Sequence, residues 1–366
     1  MTGSMYAAIA GMKTHMSKLS VIGNNVANVN TAGYKTQRTI FRDSMYTMYS
    51  SGSNGTAIKG SQNPSQIGYG SQISTIDINM STGTFAPGSP MDCMIRGDGF
   101  FLTGDKDVAA VINPSDPASF KSLNLTRVGD FKFGADGYLV DGSGGCVYGF
   151  LTTGVDGKGN PVISDQLVPI RLPRMSENGV KYPSTGINFN EPIKDSVGDD
   201  EQKPNPFVQL DSISIDKTSG RISGTVKGSD QWITVGFLAI GNVTNVNGVT
   251  HDAGFYYKCG DGAGDLSITM LGGVQKDLQV QTSGGKFSSI THVNGSLVQD
   301  TTALPEKSKI TSAGQTELNV GGLEGSNVDL ATEISEMITT QRGYQANTRI
   351  ITVTDSMLEE LVNMKR

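Results

Sequence analysis

The sequence predicts an α+β protein whose N- and C-terminal helices pair as a coiled coil and flank a β-rich, mainly antiparallel middle. Three observations carry this prediction. Apolar side chains repeat every seven residues near the start of the chain. The last 40 residues hold one glycine and no proline, and 39 of the 47 glycines lie between residues 46 and 320. Because glycine marks turns and bulges, the middle is expected to be turn-rich β structure.

Residues 3–28 are predicted to form one amphipathic helix. Its apolar residues alternate spacings of four and three, with Gly23 at one of the positions, which is the pattern of a coiled-coil seam. Methionine, which packs adaptably, is frequent along the stripe. The predicted seam on this helix consists of Met5, Ile9, Met12, Met16 and Leu19.

A second helix is predicted from Asn327 to Lys365. Asn327 fits an N-cap, and acidic residues follow it in the first turns, where the helix dipole favours them. The apolar spacing averages 3.6 residues, which is the helical period. The part of this stripe expected to pair with the first helix is Ile350, Val353, Met357 and Leu361.

Between the two helices the apolar period changes to two, which is typical of strands. Asp-Gly and Ser-Gly sequences separate paired runs and fit hairpin turns. We expect a strand over residues 72–78, hairpins over 131–140 and 211–226, and an apolar strand over 231–240.

The expected domain organisation follows from these segments. Residues 1–30 and 327–366 form a helical coiled-coil domain, 31–70 an extended connector, 71–145 and 211–326 a β-rich domain with a possible inserted β subdomain at 265–319, and 146–210 an outer β domain.

Composition and motifs argue against several function classes. The 29 basic and 35 acidic residues are not clustered, so no nucleic acid is expected as a partner. No apolar run approaches the length of a membrane span, so no membrane insertion is expected. The three histidines and three cysteines lack catalytic or metal-ligand spacing. We therefore expect no enzyme, no catalytic residues, no metal and no cofactor.

The most specific stretch is residues 23–35, GNNVANVNTAGYK, at the end of the first helix. Four asparagines within seven residues compete with backbone hydrogen bonds, and Gly33 permits a left-handed stop. The stretch is interpreted either as an elaborate C-cap within the chain or as a hydrogen-bonded joint to a neighbouring chain.

This stretch closely resembles the N-terminal signature of the bacterial flagellar rod and hook proteins. Further segments similar to that family's motifs follow in the family's order, with Ser89 where the family has asparagine. They are MYAAIAGM at 5–12, STGTFAPGSPMD at 81–92, IRGDGFF at 95–101, RVGDFKFGADGYLV at 127–140, EGSNVDL at 324–330 and QRGYQAN at 341–347.

The resemblance implies a structural subunit that assembles with itself into a helical homopolymer. The terminal helices would form the inner wall of a tube, with the β domains stacked outward. The implied location is the extracellular hook and basal body of the flagellum, reached through the flagellar type III export apparatus without a cleavable signal peptide. The other implied partners are the distal rod protein, the hook cap and the hook–filament junction proteins.

Within the family, a hook subunit is expected, forming a curved hollow tube that acts as a universal joint between rod and filament. The chain is longer than distal rod proteins typically are, and residues 211–264 loosely resemble a hook segment. Residues 265–319 depart from the family's pattern. A distal rod protein is the first alternative, and a secreted β-rich enzyme or adhesin with helical ends is the second.

The residues expected to join subunits lie in the two terminal motifs. Capping and helix pairing within one chain are the alternative role for each of them. They are Asn24, Asn25, Asn28, Asn30, Gly33 and Tyr34 near the first helix, and Gln341, Arg342, Tyr344 and Asn347 in the second.

Overall fold

The computed structural model describes most of the chain in two compact units. The first unit comprises residues 1–31, 35–79 and 326–366, and the second comprises 32–34 and 80–325. The described residues are 2–55, 60–105, 123–155, 161–176, 179–182, 207–252, 254–264, 266–271, 279–281, 287–293, 296–300 and 316–364. Much of the predicted insertion at 265–319 and of the predicted outer domain at 146–210 lies outside them. The division into domains stays a prediction.

The first unit contains two long helices and two strand pairs. The N-terminal helix confirms the prediction for residues 3–28, and β4 confirms the strand expected over 72–78. The elements are α1 (Thr2–Ala27), β1 (Gln37–Asp43), β2 (Tyr46–Ser50), β3 (Ser65–Gly68), β4 (Ser71–Ile78) and α2 (Leu330–Met364).

Helix α2 begins three residues after its predicted N-cap. The Asp329 carboxylate accepts hydrogen bonds from Ala331 N at 3.0 Å and from Thr332 Oγ1 at 2.7 Å. These bonds lower the pKa of Asp329, the Thr332 bond most of all. The prediction of Asn327 as the cap is therefore wrong, because Asp329 satisfies the first turn and Asn327 binds elsewhere.

The segment predicted as an extended connector holds three strands. β1 pairs antiparallel with β4, and β2 pairs antiparallel with β3, with a register shift between Met48 and Ser50. Every residue of β2 is exposed. Residues 46–70 are rich in serine, glycine and asparagine, and this composition hid the β2–β3 hairpin from the period-two pattern.

The second unit is built from strands β5 to β25. They are β5 (Phe85–Pro87), β6 (Cys93–Arg96), β7 (Phe100–Gly104), β8 (Asn124–Thr126), β9 (Lys132–Phe133), β10 (Leu139–Val140), β11 (Cys146–Val155), β12 (Pro161–Pro169), β13 (Arg174–Ser176), β14 (Gly179–Lys181), β15 (Leu210–Ile215), β16 (Arg221–Val226), β17 (Trp232–Val243), β18 (Val249–His251), β19 (Tyr256–Cys259), β20 (Leu266–Met270), β21 (Gln279–Gln281), β22 (Phe287–Val293), β23 (Ser296–Asp300), β24 (Glu317–Val320) and β25 (Gly322–Glu324).

Most of these strands belong to one hydrogen-bonded sheet. Within the described residues it links fifteen strands, and β12 with β21 is its parallel pair. Strand β17 is central, since it pairs with β7, β11, β16 and β20. The predicted hairpins are confirmed as β9–β10 and β15–β16, and the predicted apolar strand as β17.

The main core of the second unit is apolar and aromatic. The rings of Phe101 and Phe131 meet edge to face, with 4.9 Å between centroids. The three cysteines are buried, as expected of packing residues. Burial raises the pKa of the Cys93 thiol to about 12, and the Asp92 carboxylate adds to the rise. This thiol is therefore protonated at neutral pH.

The last strands of the second unit pair with its first strands. β24 pairs antiparallel with β6, and β25 pairs antiparallel with β5, so residues more than 200 positions apart form one joint. Leu318 of β24 is buried against the main core.

Candidate assembly surface

The two terminal helices pair antiparallel within the first unit. Positions late in α1 contact the start of α2, and positions earlier in α1 contact its later turns. The contacts join Asn25 Nδ2 to Glu333 Oε1 at 3.1 Å, Lys18 Nζ to Glu336 Oε2 at 2.8 Å, and Thr348 Oγ1 to Met12 Sδ at 3.7 Å.

Asn25 is the buried polar centre of this pair. Asn25 is 1% exposed. Its Oδ1 accepts a hydrogen bond from the Gln37 backbone N–H at 3.0 Å, and its Nδ2 donates one to the Gln37 carbonyl at 2.9 Å. The same Nδ2 donates to Glu333. Burial raises the pKa of Glu333, while the Asn25 bond opposes the rise. Asn25 thus fastens α1 to β1 and to α2 in one chain.

Asn327 makes a second amide clamp that sequence reasoning assigned to a helix cap. Its Oδ1 accepts from Thr36 N at 2.8 Å and from Thr36 Oγ1 at 3.0 Å. Its Nδ2 donates to Asn79 O at 2.8 Å. Asn327 therefore closes the ends of β1 and β4 against the start of α2. The position of Asn327 in the EGSNVDL motif was the one feature of the sequence that pointed to a role for this residue.

Small residues set the closeness of the two helices. A Cβ atom on Gly343 would lie 2.8 Å from His15 Cε1, and one on Gly11 would lie 2.7 Å from Asn347 Nδ2. Both distances are shorter than the contacts that Cβ atoms make in protein structures, so a side chain at either glycine would push the helices apart or displace its neighbour. Asn347, predicted at the subunit joint, therefore lies half-buried against α1 in this chain.

The other predicted residues near α1 divide by burial. Asn28 Nδ2 donates to Asn24 O at 2.9 Å, and Asn24 and Asn30 are exposed. Tyr34 is 7% exposed and Gly33 is buried with φ 69°, both in the second unit. The structure buries Asn25, Gly33 and Tyr34 within the chain. Asn24 and Asn30 are exposed, and Asn24 also accepts from Asn28 through Oδ1 at 3.0 Å.

On α2, the predicted joint residues Gln341 and Arg342 are exposed. Tyr344 is half-buried, and its backbone carbonyl accepts a hydrogen bond from Thr348 Oγ1 at 2.9 Å. The exposed pair is available to a neighbouring molecule in a way that Asn347 is not.

The predicted seam on α1 is not the face that is most buried. Met16 is 55% exposed, and the other four members are half-buried. Most of the buried residues of α1 come one residue before a position of the predicted apolar repeat. They are Ala8, Gly11, Ile22 and Asn25, with Thr14. Hydrophobic periodicity located the apolar stripe, but close packing selected the small and polar residues beside it.

The predicted seam on α2 lies in solvent in the single chain. Ile350, Val353, Met357 and Leu361 are 44%, 55%, 45% and 43% exposed. Polar and small residues such as Glu333 make the contacts with α1 instead. A coiled coil within the chain through this predicted seam is therefore not the contact that the structure shows.

These four exposed residues form one stripe, which we call the apolar face of α2. A solvated apolar stripe on one helix is typical of a surface that another chain covers. Its members, Ile350, Val353, Met357 and Leu361, lie within about 80° of one another around the helix axis. Each is at least 43% exposed.

The described residues bear on metal binding and on membrane insertion in two ways. Among them, no three histidine, cysteine or carboxylate side chains are grouped so that they could bind a metal ion. Neither helix in this part of the chain is long and apolar enough to cross a membrane.

Two protein-family descriptions match the ends of the chain. The family described as "Flagella basal body rod protein" matches residues 5–35. The family described as "Flagellar basal body rod FlgEFG protein C-terminal" matches residues 320–364. The first match covers most of α1 and the asparagine stretch, and the second covers all of α2.

Curated relatives align with the whole chain. It is 30% identical over 370 aligned positions to the flagellar basal-body rod protein FlgG of Bacillus subtilis, with 100% of both chains covered. It is 26% identical over 457 positions to the flagellar hook protein FlgE of Borreliella burgdorferi and 25% over 481 to that of Treponema pallidum, again with full coverage of both. The hook alignments are longer than the 366 residues of this chain, so the hook relatives carry segments that it lacks.

Proposed function

Because the chain belongs to the flagellar basal-body rod and hook protein family, a structural family, we propose that it is the subunit of a flagellar hook. In this proposal, copies of the chain polymerise into a curved hollow tube that joins rod to filament and bends as it rotates. The chain reaches the cell exterior through the flagellar type III export apparatus. Its neighbours in the axis are the distal rod protein, the hook cap and the hook–filament junction proteins.

The apolar face of α2 is the observation that carries the proposal. Val353 and its neighbours on this face are solvated in the single chain, although their type favours burial. The contacts of α2 with α1 use other residues, so helix pairing within the chain leaves the face open. A second copy that covers it, through a different surface of its own, makes a contact that does not close on itself and builds a helical polymer.

Exposed polar residues elsewhere on the two helices support the same use. Gln341 and Arg342 are exposed on α2, and Asn24 and Asn30 are exposed at the end of α1. Apolar centres with polar surroundings are the usual composition of protein interfaces. We therefore propose these four, with the apolar face, as the subunit contacts, and we assign Asn25, Gly33 and Tyr34 to the fold of each subunit.

A distal rod subunit is the second candidate, and one observation favours it. The rod relative aligns over 370 positions with this chain of 366 residues, so it has almost no segments that this chain lacks. The two candidates share the family and the apolar face, and they differ in what the polymer does. A rod is a straight shaft, whereas a hook bends.

Electron microscopy of basal bodies from cells that lack this gene separates the candidates. A complete rod that ends without hook or filament supports the hook subunit. A truncated rod assigns the chain to the distal rod instead. Intact flagella would overturn both candidates. Complementation with the intact gene is the control, since it must restore whatever the deletion removes.

A further inference from the structure

A buried ion pair lies in the second unit, where the end of the chain meets two earlier segments. Arg127 and Glu324 are each fully buried, with 3.7 Å between Arg127 Nη1 and Glu324 Oε2. Removing one partner of such a pair strands the other charge, so a buried pair has to be matched by further hydrogen bonds.

Glu324 binds two segments through different atoms. Its side-chain Oε1 accepts from the Gly83 backbone N–H at 2.9 Å, and its own carbonyl accepts from the Gly33 N–H at 2.7 Å. The neighbouring Gly325 N–H donates to Thr84 O at 2.7 Å. Three stretches of chain that are distant in sequence therefore meet at one glutamate.

Arg127 connects this meeting point to the core. Its Nη2 donates to Gly97 O at 2.9 Å and its Nη1 to Ile95 O at 3.4 Å. Ile95 belongs to the main hydrophobic core, and the guanidinium also lies 5.5 Å from the ring centre of Phe100. The arginine thus anchors Glu324 to rigid strands.

Backbone packing at this point leaves no room for side chains. A Cβ atom on Gly83 would overlap Gly325 O, and one on Gly33 would lie 2.6 Å from Val128 Cγ2. Gly33 also has a positive φ of 69°, which favours glycine. The segments are held by direct backbone contact as well as by the ion pair.

The segments gathered here are the ones that continue into the first unit. Gly33 lies within residues 32–34, Gly83 follows the boundary at residue 80, and Glu324 precedes the boundary at residue 326. We propose that Arg127 and Glu324, with Gly33 and Gly83, form a clasp that fixes these connecting segments to the core of the second unit. Both charged residues are positioning residues. On the proposed function of the chain, the clasp carries load between the two units when the polymer turns.

Hydrogen exchange of the full-length monomer tests the clasp. In Glu324→Gln, peptides covering residues 32–35 and 81–86 should exchange about tenfold faster, while peptides of β11 and β17 keep the parent rate, because the loss is local. Glu317→Gln is the matched control, since it removes one charge from an exposed residue seven positions earlier. Unchanged exchange at 32–35 and 81–86 would overturn the clasp, and so would an equal rise throughout the sheet.

A double variant separates the clasp from general stability. Arg127→Met with Glu324→Leu replaces the buried pair by apolar side chains, a change that is often neutral or stabilising for the fold. We expect a melting temperature close to the parent's together with fast exchange at residues 81–86. Slow exchange there in this variant would contradict the proposal, because the Gly83 N–H has then kept its protection without the pair.

Shear of assembled polymers tests the load. Polymers of Glu324→Gln should break into shorter pieces than polymers of Glu317→Gln under the same flow, and equal lengths would overturn the load-bearing role. If the parent chain forms no polymer, the proposed function fails and the load-bearing role fails with it. The exchange experiment still decides the clasp itself.

Discussion

Asn25 and Glu333 stand 308 positions apart in the chain and share a hydrogen bond of 3.1 Å between Nδ2 and Oε1. The same asparagine binds both the N–H and the carbonyl of Gln37. One buried amide thus fixes the end of α1, the start of β1 and the first turn of α2.

Asn25→Ala should destabilise the first unit by about 2–3 kcal/mol, because half-buried polar groups on Gln37 and Glu333 lose a partner that is itself buried. Thermal unfolding followed by the helical circular dichroism signal measures the loss. Asn24→Ala is the matched control, since Asn24 is the exposed neighbour. We expect a change below about 1 kcal/mol for the control. Equal effects of the two variants would show that the buried amide has no special role.

The close approach of the helices predicts opposite outcomes for two glycines. Gly343→Leu should cost about 1–3 kcal/mol, because its side chain would enter the space of the His15 ring. Gly23→Leu should be neutral or should stabilise α1 by up to about 1 kcal/mol, since nothing lies within 4 Å of its Cβ position and leucine favours helix. Denaturant unfolding of both variants compares them. A tolerated Gly343→Leu would mean that the helices pack less closely than described.

The environment of His15 predicts that the paired helices lose stability in acid. Burial lowers its pKa below 6.5, and the charge of Lys18 adds to the effect. Its ring stands edge-on to Phe41 at 6.0 Å, and in the described part of the chain its buried Nδ1 has no hydrogen-bond partner. Because the folded chain holds the ring neutral, the unfolded chain binds more protons once pH falls below 6.5. Stability should therefore be lost as pH falls from 6.5 towards the lowered pKa.

Melting curves of the parent and of His15→Gln at pH 7.5 and pH 5 isolate this effect. Glu333 titrates with the opposite sign, since burial raises its pKa and its contribution to stability falls as pH rises. The difference between parent and variant removes that contribution. The parent should lose more stability on acidification than His15→Gln, and equal losses would exclude His15 as the cause.

Local features, such as helix bounds and hairpins, could be predicted from the sequence. Contacts that depend on how distant segments pack together could not. The bounds of α1 and the hairpin β9–β10 follow from periodicity and from the turn at Gly137, whose φ is 74°. The contact face of the helices escaped prediction because Gly11 and Gly343 carry no hydrophobic signal. The Glu324 clasp escaped because its partners come from three distant stretches, and no local pattern encodes such a meeting.

The apolar face of α2 predicts a charge-sensitive polymer. Val353→Asp places a carboxylate where a neighbouring copy would cover it, and burial of an unpaired charge is strongly unfavourable. Since Val353 is 55% exposed in the single chain, the monomer should keep its stability within about 0.5 kcal/mol. Polymerisation, measured by sedimentation and electron microscopy, should be lost. Ser356→Asp is the control, because Ser356 is exposed and polar on the same helix, and it should assemble like the parent. Normal polymers of Val353→Asp would remove the apolar face from the assembly contact, while loss of assembly in both variants would point to the added charge on α2 rather than to the covered face.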